Sequence, residues 1–490
     1  MLAGLLGVLL SAMTRAEAPS VVLAQDGKAV VTIHVVDPAG RLVKAPDAKA
    51  RKASPGKPSI DDLQLYLGKI SGADFKVEIT QAYPGANKPG IYVGTDKDLK
   101  LAGIDGSRQQ FLLRTAEGQL LIAGADDRGI SHGIYALLHE LGCRWYFPGE
   151  LWTVTPPPRK TLEVAGDRIG GPDFYIQRRI WPGHGLRTDT TRRELDQWQR
   201  RNCIAQPFDV AIAHSWIGLD PRADFQGHPE WFALVSGQRK ASKPCYTNPE
   251  VIAKAIGYAL AHFEKDPESE MVSVSAPDGL GFCTCDLCRK QARVTELKDI
   301  GNEVYFGTNP DGQQVSIASE TIFNLANRVA RAVAAKYPGK RVGILAYSAY
   351  AHPPSFKLEP NVYVEVTAGY RRTPLSEQEQ FTQFGQRASA LGVYEYFDVE
   401  QWAWEQPGKA RATQLDKGAG DDPLLSREQL PLAQRGIIRQ LRLQWRRILR
   451  DHAAAVGWQT GHPPDRGAVL RGCVRPRGRT DQAAVSALGD

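Results

Sequence analysis

From residue 174 to residue 399 the chain repeats one pattern: a short apolar run of β type, a loop, then an amphipathic helix. No other feature restricts the fold as much. Strands separated by helix-length crossovers pair in parallel, and a parallel sheet needs helices on its faces. FYIQRRIWP (174–182) reads as strand, TRRELDQWQRRN as helix, and IAQPFDVAIAH as strand and loop. NPEVIAKAIGYALAHFEKD reads as a helix with Asn248 as cap and Pro249 at its first position. MVSVSAPDG (271–279) is a buried strand ending in a turn, and SIASETIFNLANRVARAVAAKYPG (316–339) is a long amphipathic helix stopped by Pro338-Gly339. RVGILAYSAY (341–350), NVYVEVTAGY (361–370) and GVYEYFDV (392–399) are strands, with a helix between the last two. The architecture expected for residues 170–412 is a (β/α)8-type barrel.

Ahead of it lies a different unit. Residues 20–36 alternate and read as strand, and 59–71 place Leu63, Leu67 and Ile70 on one helical face. FKVEIT (75–80) and GIYVG (90–94) are strands, and FLLRT with QLLIAG form a hairpin around Glu117-Gly118. The segment 126–149 opens with Asp126 as N-cap and stops its helix at Gly142. This small α/β domain spans 19–155 and is closed by the stiff TPPPRK linker, 155–160. The fold class is therefore α/β throughout.

Residues 2–13, LAGLLGVLLSAM, are too short to span a bilayer but fit the apolar region of a signal peptide, with Ala16-Glu17-Ala18 as its cleavage site. Residues 1–18 are thus expected to direct export to the periplasm or the medium; the alternative is a buried N-terminal helix. No later stretch reaches 18 apolar residues, so no membrane span is expected. Residues 413–490 hold 12 Arg and one Lys against 8 acids, which is +5 of the total +7. The nearly neutral remainder gives no reason to invoke nucleic acid. The tail also lacks Tyr and Phe, of which the chain has 16 and 15. It reads either as a basic disordered tail or as a frameshifted product of GC-rich coding DNA that would leave the barrel incomplete at its C-terminus.

The segments GISHGIYALLHELGCRWYFPGE, HPEWFAL, CYTNPEV, VSVSAPDGLGFCTCDLCR and ILAYSAYAHPP resemble a bacterial family named only as a domain of unknown function. The resemblance covers roughly residues 25–410. It implies an N-terminal domain of the β-hexosaminidase or α-glucuronidase type, followed by a glycoside-hydrolase-like TIM barrel and carbohydrate processing.

Glycoside hydrolysis needs two carboxyl groups flanking the scissile bond, and in a barrel these sit at the C-terminal ends of strands. Asp278 follows VSVSAP, Glu395 lies within GVYEYFDV with Asp398 and Glu400 after it, and Glu365 lies within NVYVEV. Asp278 and Glu395 are the expected catalytic pair. The plainer readings are a turn-forming Asp278 and a salt-bridged Glu395. Sugars also need aromatic platforms and polar contacts. His184, His214, Trp216, Glu230, Trp231, Tyr347, Asp398 and Trp402 are the candidates, because they follow strand ends or lie in the HPEW loop. Each tryptophan alone reads more readily as a core residue than as a ligand platform. His34 and His139 read as structural. Cys245, Cys283, Cys285 and Cys288 have the spacing of a structural zinc site, or of two disulfides in an oxidising compartment. No cofactor is expected to be needed for catalysis. The alternative to a hydrolase is a non-catalytic carbohydrate-binding protein on the same scaffold.

Overall fold

The computed structural model describes residues 18–42, 56–104, 109–172, 176, 178, 189–204 and 212–394. The chain begins β1 (Val21–Gln25), β2 (Lys28–Ala29), β3 (Ile33–Val36), α1 (Gly56–Ser71), β4 (Val77–Thr80), β5 (Gly90–Thr95), β6 (Phe111–Ala116), β7 (Gln119–Gly124) and α2 (Asp127–Glu140). After the short antiparallel pair β8 (Arg144–Trp145) and β9 (Thr153–Val154), β10 (Leu162–Val164) pairs with β1 and β11 (Asp167–Gly170) pairs with β6. The main sheet has the order β11-β6-β7-β5-β3-β4. Strands β4, β3, β5 and β7 are parallel, and the crossover from β3 to β4 contains α1.

Helices α1 and α2 cover one face of this sheet. Leu63, Leu67, Ile70, Ile130 and Ile134 pack there on Ile33, Val35, Ile91, Val93 and Ile122. Asp126 caps α2 by accepting from the Gly129 N–H at 2.7 Å, as its position in the sequence predicts. The stretch 20–36 is not one strand. Asp26 and Gly27 both adopt positive φ, 49° and 73°, and turn β1 back onto β2. An Asp-Gly pair favours that hairpin turn.

The helix α3 (Asp189–Arg201) follows the linker but docks on this first domain. The Arg201 guanidinium makes two 3.0 Å hydrogen bonds to the Asp62 carboxylate on α1, both groups buried. Trp198 Nε1 donates to the Trp145 carbonyl at 3.0 Å, and Arg200 Nε donates to the Tyr135 hydroxyl at 3.0 Å. Of the expected strand at 174–182 only residues 176 and 178 are described, and most of that at 204–214 lies outside the described residues.

The second sheet is entirely parallel. Strands β14 (Met271–Ser273), β18 (Arg341–Ser348), β19 (Val362–Arg371) and β20 (Ala390–Tyr394) lie side by side in chain order, and a parallel bridge from His214 to Ser275 adds a fifth segment at the β14 edge. Two antiparallel pieces are inserted between the parallel strands. One is the hairpin β12 (Phe232–Val235) and β13 (Gln238–Pro244), preceded by α4 (Ala223–Gly227) and a turn over Pro229–Trp231. The other is the sheet of β15 (Lys298–Asp299), β16 (Tyr305–Thr308) and β17 (Gln314–Ser316).

Helix α5 (Pro249–Lys265) is capped by Asn248, and α7 (Ile317–Lys336) by Ser316. They cover the outer face of the parallel sheet, where Val272, Val274, Val342, Ile344, Ala346, Val362, Val364 and Val366 join their core. Helix α8 (Glu377–Arg387) links β19 to β20, and the short α6 (Asp286–Ala292) follows the loop after β14. Four parallel strands and one bridge, not eight strands, are therefore in place among the described residues; residues 395–412 of the expected barrel lie outside them, as does the tail.

Candidate functional site

Because strand residues alternate, the face of the parallel sheet opposite the helices carries Met271, Ser273, Ser275, Gly343, Leu345, Tyr347, Tyr363, Glu365, Thr367, Gly392 and Tyr394. Its two ends differ. At the N-terminal end Met271 and Tyr363 pack with Ile176 and, at their margin, Ile212 and Ala390. Gly343 and Gly392 are required there. A Cβ on Gly343 would fall 2.7 Å from Met271 Sδ, and one on Gly392 would run into the Tyr363 hydroxyl. This apolar floor gives way upward to polar groups, with Glu365 buried among them.

At the C-terminal ends the polar side chains converge. The chain leaves β14 through Ser275, whose hydroxyl accepts from Leu345 N–H at 2.9 Å, and turns at Asp278. Asp278 Oδ1 accepts from the Gly279 N–H at 2.8 Å, and Gly279 has a φ of +90°. Across the bridge, His214 donates from Nδ1 to the Ala276 carbonyl at 2.7 Å. A carbonyl can only accept, so the proton sits on Nδ1 and Nε2 faces Asp278 Oδ1 at 3.6 Å. Protonation of Nε2 makes that contact an ion pair.

Tyr347 closes the other side. Its hydroxyl lies within the field of the Asp278 carboxylate, and its ring lies 5.5 Å from that of His214. Burial, reinforced by the Asp278 charge, pushes its pKa up to about 12, so it stays a proton donor. Beneath the turn, the buried Lys243 donates from Nζ to the Asp278 carbonyl at 2.7 Å. Burial pulls its pKa down to about 8, against the opposing charge of Asp278.

Tyr370 is exposed beside Tyr347, with its ring 6.3 Å from that of Tyr347, while Tyr350, with its ring 6.4 Å away, is buried in the core. Ser348 and Tyr370 have φ values of 51° and 50° at the ends of β18 and β19, where the register slips. Left-handed backbone at non-glycine residues costs energy and gathers at functional sites.

Of the site residues expected from the sequence, His214, Asp278 and Tyr347 come together here. Lys243 and the tyrosines at 350 and 370 were not singled out for such a role: the lysine lies in a hairpin distant in sequence, and tyrosines are common in strands. Of the expected tryptophans, Trp216 and Trp231 lie among the described residues. Trp216 packs on the core with its ring 6.5 Å from Phe232. Trp231 is buried, stacks on His228 at 3.8 Å and donates to Glu250 at 2.5 Å. Glu230 is exposed and bound to His228 Nδ1 at 3.0 Å. Those three contacts form a separate group at the start of α5, so Trp231 serves the core rather than a sugar platform. His184, Glu395, Asp398 and Trp402 lie outside the described residues. His34 and His139 are structural: the first stacks on Tyr92 at 4.9 Å, and the second bonds the Arg201 carbonyl at 3.1 Å. The four clustered cysteines meet in one buried group, their sulfur atoms all within 4.8 Å of one another.

Among the described residues no helix is long and apolar enough to cross a membrane. The sequence profile described as "Domain of unknown function (DUF4838)" matches residues 150–402. No curated protein matches the chain. Among solved structures, the chain is similar to a chitobiase from Flavobacterium johnsoniae at 11% identity and a TM-score of 0.39, covering 78% of this chain and 59% of that one. It thus spans under two thirds of the chitobiase. It is also similar to a β-N-acetylhexosaminidase from Bacteroides fragilis, at 12% identity and a TM-score of 0.38, covering 93% and 91% of the two chains. A GH20 β-N-acetylhexosaminidase from Streptomyces coelicolor matches at 15% identity and a TM-score of 0.30, over 78% and 74%.

Proposed function

Since the chain belongs to the DUF4838 family, whose name assigns no activity, the functional reading rests on the site's own chemistry, and we propose that this is an exported glycoside hydrolase acting on a complex glycan with N-acetylated or acidic sugars. The observation that carries the reading is the Asp278–His214–Tyr347 cluster, standing above an apolar floor at the C-terminal ends of parallel strands. Loops at that end of such a sheet are where reacting residues are gathered.

Asp278 is one carboxylate of the pair. Glu395, the residue after the end of β20 in the sequence, is the other, with acid and base roles unassigned. His214 and Tyr347 hold Asp278 and bond sugar hydroxyls. The faces of Tyr347 and Tyr370 take the apolar side of a pyranose ring, which the buried Trp231 does not. The leader at residues 1–18 carries the protein to the periplasm or the medium.

Turnover of a panel of N-acetylated and uronic-acid oligosaccharides tests this. Asp278→Asn and Glu395→Gln should each lose about 10²- to 10⁴-fold in kcat, the worth of a positioned acid or base. Unchanged turnover in both variants would overturn the assignment. A second reading, carbohydrate binding without cleavage, is favoured by one observation: among the described residues the groups beside the Asp278 carboxylate are the Gly279 N–H, His214 and Tyr347, and none is a second carboxylate. It predicts sugar binding that survives Glu395→Gln, with no product from any glycan.

A further inference from the structure

Behind the Asp278 turn lies a group of side chains that sugar chemistry does not use. Cys283, Cys285 and Cys288 follow the turn within a few residues, and Cys245 comes from the end of the β12–β13 hairpin. All four are buried, the most exposed being Cys285 at 6%. The sulfur of Cys245 lies 3.8 Å from that of Cys285 and 3.9 Å from that of Cys288, and Cys285 and Cys288 are 3.6 Å apart.

These separations match one geometry. Zinc–thiolate bonds of about 2.3 Å in a tetrahedron put ligand sulfurs about 3.8 Å apart. A disulfide would need about 2.05 Å. We infer that Cys245, Cys283, Cys285 and Cys288 bind a structural zinc ion.

The surroundings suit ligated thiolates. The Leu234 N–H donates to Cys283 Sγ at 3.2 Å and Arg239 Nη1 approaches the same sulfur at 3.9 Å, while the Thr247 hydroxyl lies 3.1 Å from Cys288 Sγ. Such outer contacts orient metal ligands and offset the excess negative charge of four thiolates on one divalent ion. Four protein sulfurs fill a tetrahedron, which leaves no open position for chemistry, so the ion is structural.

Its work is cross-linking. The core around the cysteines is small, formed by Ala233, Val235, Ala292, Val294, Val315 and Ile317. A core of that size gives little stability unaided. The ion would tie the hairpin, the loop after Asp278 and α6 at one point. The hairpin in turn holds the turn from below, through Ser242 Oγ to the Gly281 carbonyl at 2.9 Å and Lys243 to the Asp278 carbonyl. The inference is independent of what the Asp278 site binds.

Metal content of the full-length protein, purified without chelator, tests it. Elemental analysis should find about one zinc per chain, and the reduced apoprotein should take up Co²⁺ with the thiolate charge-transfer and visible bands of a tetrahedral site. Cys288→Ser should lose the ion, while Cys203→Ser should keep it. If Cys288→Ser does not fold, wild-type stoichiometry decides alone. Absence of zinc together with failure to bind Co²⁺ would overturn the inference, as would peptide mapping that finds the four cysteines in disulfides.

Discussion

His352 is the residue through which this fold meets acid. It is buried, its Nε2 donates to the Gln314 carbonyl at 3.0 Å, and its Nδ1 accepts from the Thr373 hydroxyl at 3.0 Å. Burial holds its pKa down at about 4, and the fully buried His132 lies at about 3, through burial and the charge of Arg178. The unfolded chain takes up protons below pH 6.5 that the folded one refuses. Stability is therefore complete above that pH and falls as the pH drops toward 4, by about 1.4 kcal/mol per unit for each histidine. Thermal melts from pH 7 to 4 should show the loss, and His352→Gln should flatten it. Asp278 was legible in the sequence for a physical reason: an acid followed by glycine directly after an apolar strand marks a strand-end turn. Lys243 was not. Nothing in GQRKASKPC tells which of its cations folds inward, and only Lys243 is buried.

Helix starts were the most legible elements. Asp126 and Asn248 cap α2 and α5 as the sequence predicts, because a side-chain acceptor ahead of an apolar period is a local signal; Ser316 caps α7 in the same way. Ser376 caps α8 in a full capping box with Glu379, and Ser376→Ala should cost about 1 kcal/mol in denaturant unfolding. What a helix packs against is not local. The sequence puts α3 in the barrel, yet the Asp62–Arg201 pair ties it to α1. Asp62→Ala leaves a buried guanidinium without its carboxylate and should cost about 3–5 kcal/mol. Replacing both residues with apolar ones of similar size should recover most of that loss; a single variant as stable as wild type would show the pair to be inert.

At the scale of the molecule, the parallel order β14-β18-β19-β20 follows from strand–helix alternation, which the sequence displays openly. The inserted antiparallel pieces carry weak two- to seven-residue strands, and their pairing depends on contacts distant in sequence, so the pattern did not announce them. The alternation did separate two faces: valines and isoleucines under the helices, and serines, tyrosines and Glu365 on the other side. That second face, opening at Asp278, is where the sugar is expected to bind. The most direct measurement is a crystal structure of the Asp278→Asn protein soaked with an N-acetylated oligosaccharide that the wild type binds. A pyranose is expected against Tyr347 and Tyr370, within hydrogen-bonding reach of His214. A sugar seated elsewhere, with that cluster untouched, would contradict it.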